Sequence, residues 1–396
     1  MATARACAVV RSWDRGRAIV RRQAGAFALA LWCVPLLFVA LRSALGLNHV
    51  DSWCVYAAAV ARWHARQPLY DTGIDGFQYL PQATLVFAPF AALGHPLGDI
   101  AWRAASWALF GQAVWRSARL VAGASWPTSW LIASALCLGP SLSSLSSGQA
   151  NLATAALMLQ ATAALAERRD GQALLWMTLG LAVKPLMAVL MLLACVLRPR
   201  LAPRVALGVV LVALVPFALA PPDYVLAQCR GWLAKLAASS QPDRLFEDLR
   251  GLASRCGWDL SHAALRVVRG IAALGALALV REIGRRRREP EASFLVFAVA
   301  ASYLMLFNPR TQPNSYVILV PAVALAAAVM RARGRRRAFF ALVLITASWC
   351  CGMLSLTLFW LRPLTAIVFA ALTIHELLGQ PPTADRAAVS SDSPAA

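Results

Sequence analysis

Twelve apolar runs separated by short, arginine-rich loops constrain this chain more than any other feature. The first is Ala24 to Leu41 (AGAFALALWCVPLLFVAL). Others follow at 80–94, 98–115, 128–145, 150–166, 172–197, 203–221, 263–282, 291–308, 313–331, 337–361 and 362–379. About 20 apolar residues in a helix cross the hydrocarbon core of a bilayer, and most of these runs approach that length. Inside a bilayer the backbone must satisfy its own hydrogen bonds, which favours helices. The expected fold is an all-α polytopic membrane protein with about 10–12 transmembrane helices. Hydrophobic residues make up 60% and charged residues 14% of the 396, too little polar surface for a soluble domain.

The formal net charge of +20 would suit a nucleic-acid partner if the arginines formed one face. They cluster instead between apolar runs, at Arg11 to Arg22, Arg198 to Arg204, Arg281 to Arg288 and Arg331 to Arg337, as in the positive-inside pattern. No nucleic-acid partner is therefore expected. Residues 1–23 form a basic cytoplasmic N-terminus, 24–379 the transmembrane domain, and the Pro/Ser/Ala-rich stretch 380–396 a disordered tail. Parity then places the loops 48–79 and 222–262 outside. Arg116, Arg119, Arg168 and Arg169 resist this count, since it puts them outside as well. Either the run 80–94 dips in and returns while 172–197 breaks at Lys184-Pro185, or these two loops are exceptions. The membrane side of Gln149 and Asn151 depends on which holds.

The first external loop gathers the most candidate chemistry, in DSWCVYAAAVARWHARQPLYDTGIDGFQYLP, Asp51 to Pro81. Trp53, Tyr56, Val60 and Trp63 recur at helical spacing with Arg62 and Arg66 off the stripe, predicting a helix that lies in the membrane interface. Asp51 stands just before that helix, a carboxylate at the bilayer surface. Asp71 and Asp75 read as turn carboxylates. In the second loop Leu226, Cys229, Leu233 and Leu236 predict another interfacial helix, and Arg244, Glu247, Asp248 and Arg250 after it read as well as a solvated helix face.

Three polar stretches interrupt the apolar runs. In SSLSSGQAN, Gln149 and Asn151 either hydrogen-bond sugar hydroxyls or belong, with Ser147, to a helix cap. Lys184 sits in an apolar run before Pro185. A lysine at membrane depth is costly and faces a cavity or an anion, unless it snorkels to the surface. FNPRTQPNSY carries Asn308, Arg310, Gln312, Asn314 and Tyr316, and an arginine there matches a phosphate bidentately. The nine cysteines are scattered with no CxxC, although Cys229 and Cys256 share one external segment. Neither GxxxxGK[ST] nor HExxH occurs, and the five histidines are far apart. No metal site and no cofactor are expected.

Taken in order, Asp51, Tyr56, Pro68-Leu69-Tyr70, Phe77-Gln78-Tyr79-Leu80-Pro81, Pro89, Gly148-Gln149-Ala150-Asn151, Gly180-Leu181-Ala182-Val183-Lys184-Pro185 and Pro321 resemble the bacterial family 87 glycosyltransferases. That resemblance implies a GT-C type bundle of membrane helices with interfacial helices in external loops. It also implies a polyprenyl-phosphate-linked sugar donor, a lipid or envelope-glycan acceptor and an active site on the periplasmic face of the bacterial inner membrane. Asp51 matches the general base. Tyr79, Gln149, Asn151, Lys184, Arg310, Asn314 and Tyr316 are the candidate substrate-binding residues, with membrane lipids as surroundings. Near Pro309, NPRTQPNSY replaces the His-containing loop of many relatives. A flippase or transporter, or a non-catalytic partner in envelope assembly, is the alternative. A transporter would show matched inverted halves, and no such symmetry is visible.

Overall fold

The computed structural model of the protein describes residues 2–47, 52–71, 76–238, 246–351, 358 and 360–378. Asp51, Asp75, Arg244 and the tail 380–396 lie outside the described residues. The described residues form sixteen α-helices and no strand. The first five are α1 (Ala2–Ala44), α2 (Ser52–His64), α3 (Ala83–Ala91), α4 (Leu97–Ala122) and α5 (Trp126–Ser146). Next come α6 (Ala150–Ala166), α7 (Asp170–Val183), α8 (Met187–Leu197), α9 (Ala202–Leu219), α10 (Pro222–Ala238) and α11 (Leu249–Arg255). The chain ends with α12 (His262–Arg286), α13 (Glu291–Phe307), α14 (Val320–Ala332), α15 (Arg336–Cys351) and α16 (Leu361–Leu378).

Helix α6 is the axis of the bundle. It is apolar on every side apart from a few Thr, Asn and Gln side chains, and every one of its residues is buried against α4, α7, α13 and their neighbours. Its many alanines let those helices approach closely. The outer helices show the opposite exposure: Leu207, Leu211 and Leu214 on α9, and Val267, Ile271 and Leu274 on α12, all face outward. Exposed apolar surface on this scale suits contact with lipid. By length and composition, Gln23–Ala44, Trp126–Ser146, Pro199–Leu219 and His262–Arg286 are each able to cross a membrane. The protein is a multi-pass membrane protein.

The arginine loops meet at one end of the bundle. Arg116 at the end of α4 pairs with Glu167 at 3.0 Å, and Arg198 after α8 pairs with Asp170 at 2.8 Å and Glu289 at 2.5 Å. Arg335, before α15, reaches Glu376 at the end of α16. Arg116 and Arg169 thus share an end with Arg198 and Arg335, and the parity conflict resolves in favour of the first alternative. Helix α3 has only nine residues and does not cross, whereas 172–197 is two helices rather than one span. Pro185 removes an N–H and disfavours helical geometry at Lys184, which is extended at φ −153°, ψ 131°.

The two external helices fold over the other end, and α2 differs from expectation. The aromatic stripe of α2 is buried in protein rather than laid in the interface, because α3 and α4 offer it aromatic surface. Tyr56 stacks on Phe87 with centroids 4.3 Å apart, and Trp53 and Trp63 are buried. In α10 the apolar residues Leu226, Leu233 and Leu236 face outward, while Gln228 and Lys235 turn inward onto the first loop, accepting from Leu69 N and donating to Asp71 O. Asp71 itself pairs with Arg62 at 2.9 Å, a structural role. Cys229 and Cys256 are both free thiols.

Glu247 and Asp248 are not a solvated face. Both are buried: Arg362 Nη1 holds the Glu247 carboxylate at 2.6 and 2.8 Å, and Asp248 caps α11 by accepting from Gly251 N at 2.9 Å. Burial pushes the Glu247 carboxyl above its usual range, and Arg362 offsets part of that shift.

Candidate active site

Four separate segments bring polar side chains together at the end of the bundle opposite the arginine loops. Gln149 and Asn151 come from the turn into α6, Lys184 from the break between α7 and α8, Asn314 from the 3-10 turn Pro313–Ile318, and Tyr79 from the loop before α3. Asn151 is their hub. Its Nδ2 donates to Gln149 Oε1 at 3.0 Å and to Asn314 Oδ1 at 3.3 Å, while its Oδ1 accepts from Lys184 Nζ at 2.5 Å. Lys184 Nζ also lies 5.5 Å from the centre of the Tyr79 ring, within cation–π range. No helix cap explains these residues: Gln149 stands at the N-cap of α6 without a side-chain cap bond, and Ser147 Oγ donates back to Ser143 O.

Lys184 differs from the ion-paired arginines of the bundle. Arg103, Arg116, Arg198 and Arg362 each have a carboxylate partner. Lys184 is half-buried with none among the described residues, and is held only by a neutral amide and a ring face. Taking an ammonium out of water without a counter-charge is costly, so the site is electrostatically incomplete. The N-terminus of α6, a few residues away, adds the positive end of a helix dipole. Together these groups suit an anion, with amides placed for hydroxyl groups.

The turn that carries Gln149 and Asn151 is held along its whole length. Leu145 O and Ser146 O accept from Arg103 Nη1, Ser147 O accepts from Ser52 N at 2.9 Å, and Gly148 O accepts from Trp102 Nε1 at 2.8 Å. Gly148 has φ +64° and lies over the Arg103 guanidinium, where an added Cβ would sit 3.1 Å from it. Arg103 in turn rests on Asp99, Nε to Oδ1 at 2.7 Å, and Asp99 is fully buried. Tyr56 closes the ring of contacts, accepting from Ala150 N at 3.1 Å and sharing a 2.8 Å hydrogen bond with the Tyr79 hydroxyl.

Of the residues singled out in the sequence, Tyr79, Gln149, Asn151, Lys184 and Asn314 converge. Arg310 is half-buried in the same loop as Asn314. Tyr316 is placed otherwise. It is fully buried, with its ring against Trp349 and its hydroxyl donating to Glu247 O at 3.0 Å, so a substrate does not reach it and it supports the loop from beneath. Asp51 lies outside the described residues, but the next residue in the chain, Ser52, is the donor to Ser147 O. The sequence reading overlooked Asp99, Trp102, Arg103 and Arg362. The i, i+4 pair of opposite charges within the apolar run 98–115 was the available signal for the first and third. Among the described residues no group of three or more His, Cys, Asp or Glu side chains is placed to hold a metal.

The sequence model of glycosyltransferase family 87 matches residues 77–309, which span the turn before α3, the Gly148–Asn151 turn and Lys184. Among solved structures, the chain is similar to the crystal structure of ArnT from Cupriavidus metallidurans bound to undecaprenyl phosphate. The identity is 14%, the match covers 92% of this chain and 78% of that one, and the TM-score is 0.43. No curated protein matches the chain.

Proposed function

The chain belongs to glycosyltransferase family 87 and is a membrane glycosyltransferase; from that premise we propose that it transfers a mannose-like hexose from a polyprenyl-phosphate donor to a lipid or cell-envelope glycan acceptor. The observation that carries this reading is Lys184, a half-buried ammonium with no carboxylate partner among the described residues, ringed by Asn151, Gln149, Asn314 and Tyr79. A sugar phosphate supplies what such a site lacks: the phosphate pairs with the ammonium and the hydroxyls pair with the amides. Arg310, in the loop with Asn314, is the second cation assigned to the phosphate.

In this mechanism Asp51 acts as general base. The acceptor hydroxyl gives its proton to the Asp51 carboxylate as its oxygen attacks the anomeric carbon. The bond from that carbon to the phosphate oxygen breaks, and polyprenyl phosphate leaves as a stable anion. The single displacement inverts the anomeric centre. A positioned base contributes about 10²–10⁴ in rate, and Lys184 stabilises the charge that the departing phosphate gains. The arginine loops at the opposite end favour the cytoplasmic side, so the site faces the periplasm of a bacterial plasma membrane.

The test is sugar transfer from a polyprenyl-phosphate hexose by the purified full-length protein, comparing wild type with Asp51→Asn at matched folding. Loss of transfer in the variant supports the assignment of the base. Full activity in Asp51→Asn removes Asp51 from the mechanism, and a wild type inert with several such donors overturns the donor class.

A further inference from the structure

A cavity of about 560 Å³ opens at the arginine end of the bundle, away from the Lys184 site. Its walls are apolar faces of α13, α14, α15 and α16, including Phe294, Ala326, Val329, Leu342 and Phe369. Its rim is polar, with Arg333, Glu291, His375 and Glu376. Above it stands the turn RARGRRR joining α14 to α15, in which Arg331, Arg333, Arg335, Arg336 and Arg337 are all exposed. Arg335 neutralises Glu376, while Arg331, Arg333, Arg336 and Arg337 have no carboxylate partner among the described residues.

We propose that this cavity binds an anionic glycerophospholipid, with acyl chain between α13 and α16 and phosphate on the Arg331–Arg337 turn. Three features favour that occupant. The volume falls within the range of about 300–1,000 Å³ typical of ligand sites. Phe340 and Leu344 on α15 are 60% and 69% exposed beside it, so the surroundings are hydrocarbon rather than water. Basic pockets between membrane helices on the positive side are suited to anionic head groups. The donor lipid is a poor fit, because its phosphate belongs at the other end of α13, roughly 25 Å away for a helix of 17 residues.

The experiment is native mass spectrometry of the full-length protein released from zwitterionic detergent, with phosphatidylglycerol and phosphatidylcholine supplied in equal amounts. Wild type is expected to retain phosphatidylglycerol preferentially. Each of Arg331→Gln, Arg333→Gln and Arg336→Gln is expected to lower that preference by about fivefold. Ala326→Phe, which fills the cavity, should abolish retention. Equal retention of the two lipids by wild type overturns the proposal, as does one-for-one displacement of phosphatidylglycerol by undecaprenyl phosphate. Undiminished retention in a folded Ala326→Phe overturns the cavity as the site. If Ala326→Phe does not fold, the exposed arginine variants decide: an unchanged preference in all three refutes the proposal, and a stepwise loss upholds it.

Discussion

Arg103 provides a sharp test of how the candidate site is held. Its guanidinium bonds Oδ1 of the fully buried Asp99 and two carbonyls at the end of α5, and Asp99 Oδ2 has no hydrogen-bond partner among the described residues. Arg103→Leu therefore leaves a buried carboxylate without its counter-charge, a change that costs about 3–5 kcal/mol. Unfolding entropy of about 2 cal/mol/K per residue over 396 residues is about 0.8 kcal/mol/K, so a loss of about 4 kcal/mol lowers the melting midpoint by about 5 °C. The double variant Asp99→Leu/Arg103→Leu removes the orphaned charge as well and should regain at least half of that loss. Transfer activity should nevertheless stay low in both, because Leu145 O and Ser146 O are no longer held and the turn bearing Gln149 and Asn151 loses its register. The assay is thermal unfolding in detergent alongside initial rates of sugar transfer. A single variant that melts with wild type, a double variant no more stable than the single, or full activity in either would each refute the reasoning.

Lys184→Gln removes the ammonium but keeps a donor of similar length, and should lower kcat by about 10²–10³ with an unchanged melting midpoint; initial rates at saturating donor check this. Gly148→Ala places a side chain at φ +64° and against Arg103, and should cost about 1–2 kcal/mol in the left-handed conformation alone, read as a lowered melting midpoint. Glu167 is held below the usual carboxylate range, chiefly by its hydrogen bond from Arg116. A depressed folded-state pKa contributes stability above the unfolded value, about 4.3, that is lost as pH falls through the lower folded value. Melting midpoints measured from pH 7 to pH 3 should therefore show an acid-side decline in wild type that is weaker in Glu167→Gln.

Local pattern carried much of the architecture. Apolar length located most of the helices, Lys184-Pro185 marked a break that proline chemistry requires, and the arginine clusters marked the loops that the structure gathers at one end. The polar residues of the Gly148–Asn151 turn and Lys184 stood out because polar groups are expensive among apolar runs. The orientation of faces was harder to see. The stripe of α2 satisfied the pattern of an interfacial helix, yet its partner is the aromatic surface of α3 and α4. Glu247 and Arg362 are 115 residues apart in sequence, so nothing local linked them, and alone each reads as a surface charge.

What the sequence determined by itself is therefore whatever follows from hydrophobicity and backbone chemistry along a single segment: a many-helix membrane protein, its basic loops, and the polar residues set among apolar ones. The tertiary structure decided which of those residues meet. It made α3 a short non-crossing helix, set Asn151 between Lys184 and Asn314, buried Tyr316 beneath its loop, and tied Ser52 to Ser147. Periodicity shows that a helix has two faces, but the identity of the neighbour on each face depends on contacts between segments far apart in the chain, whose energies no single stretch encodes.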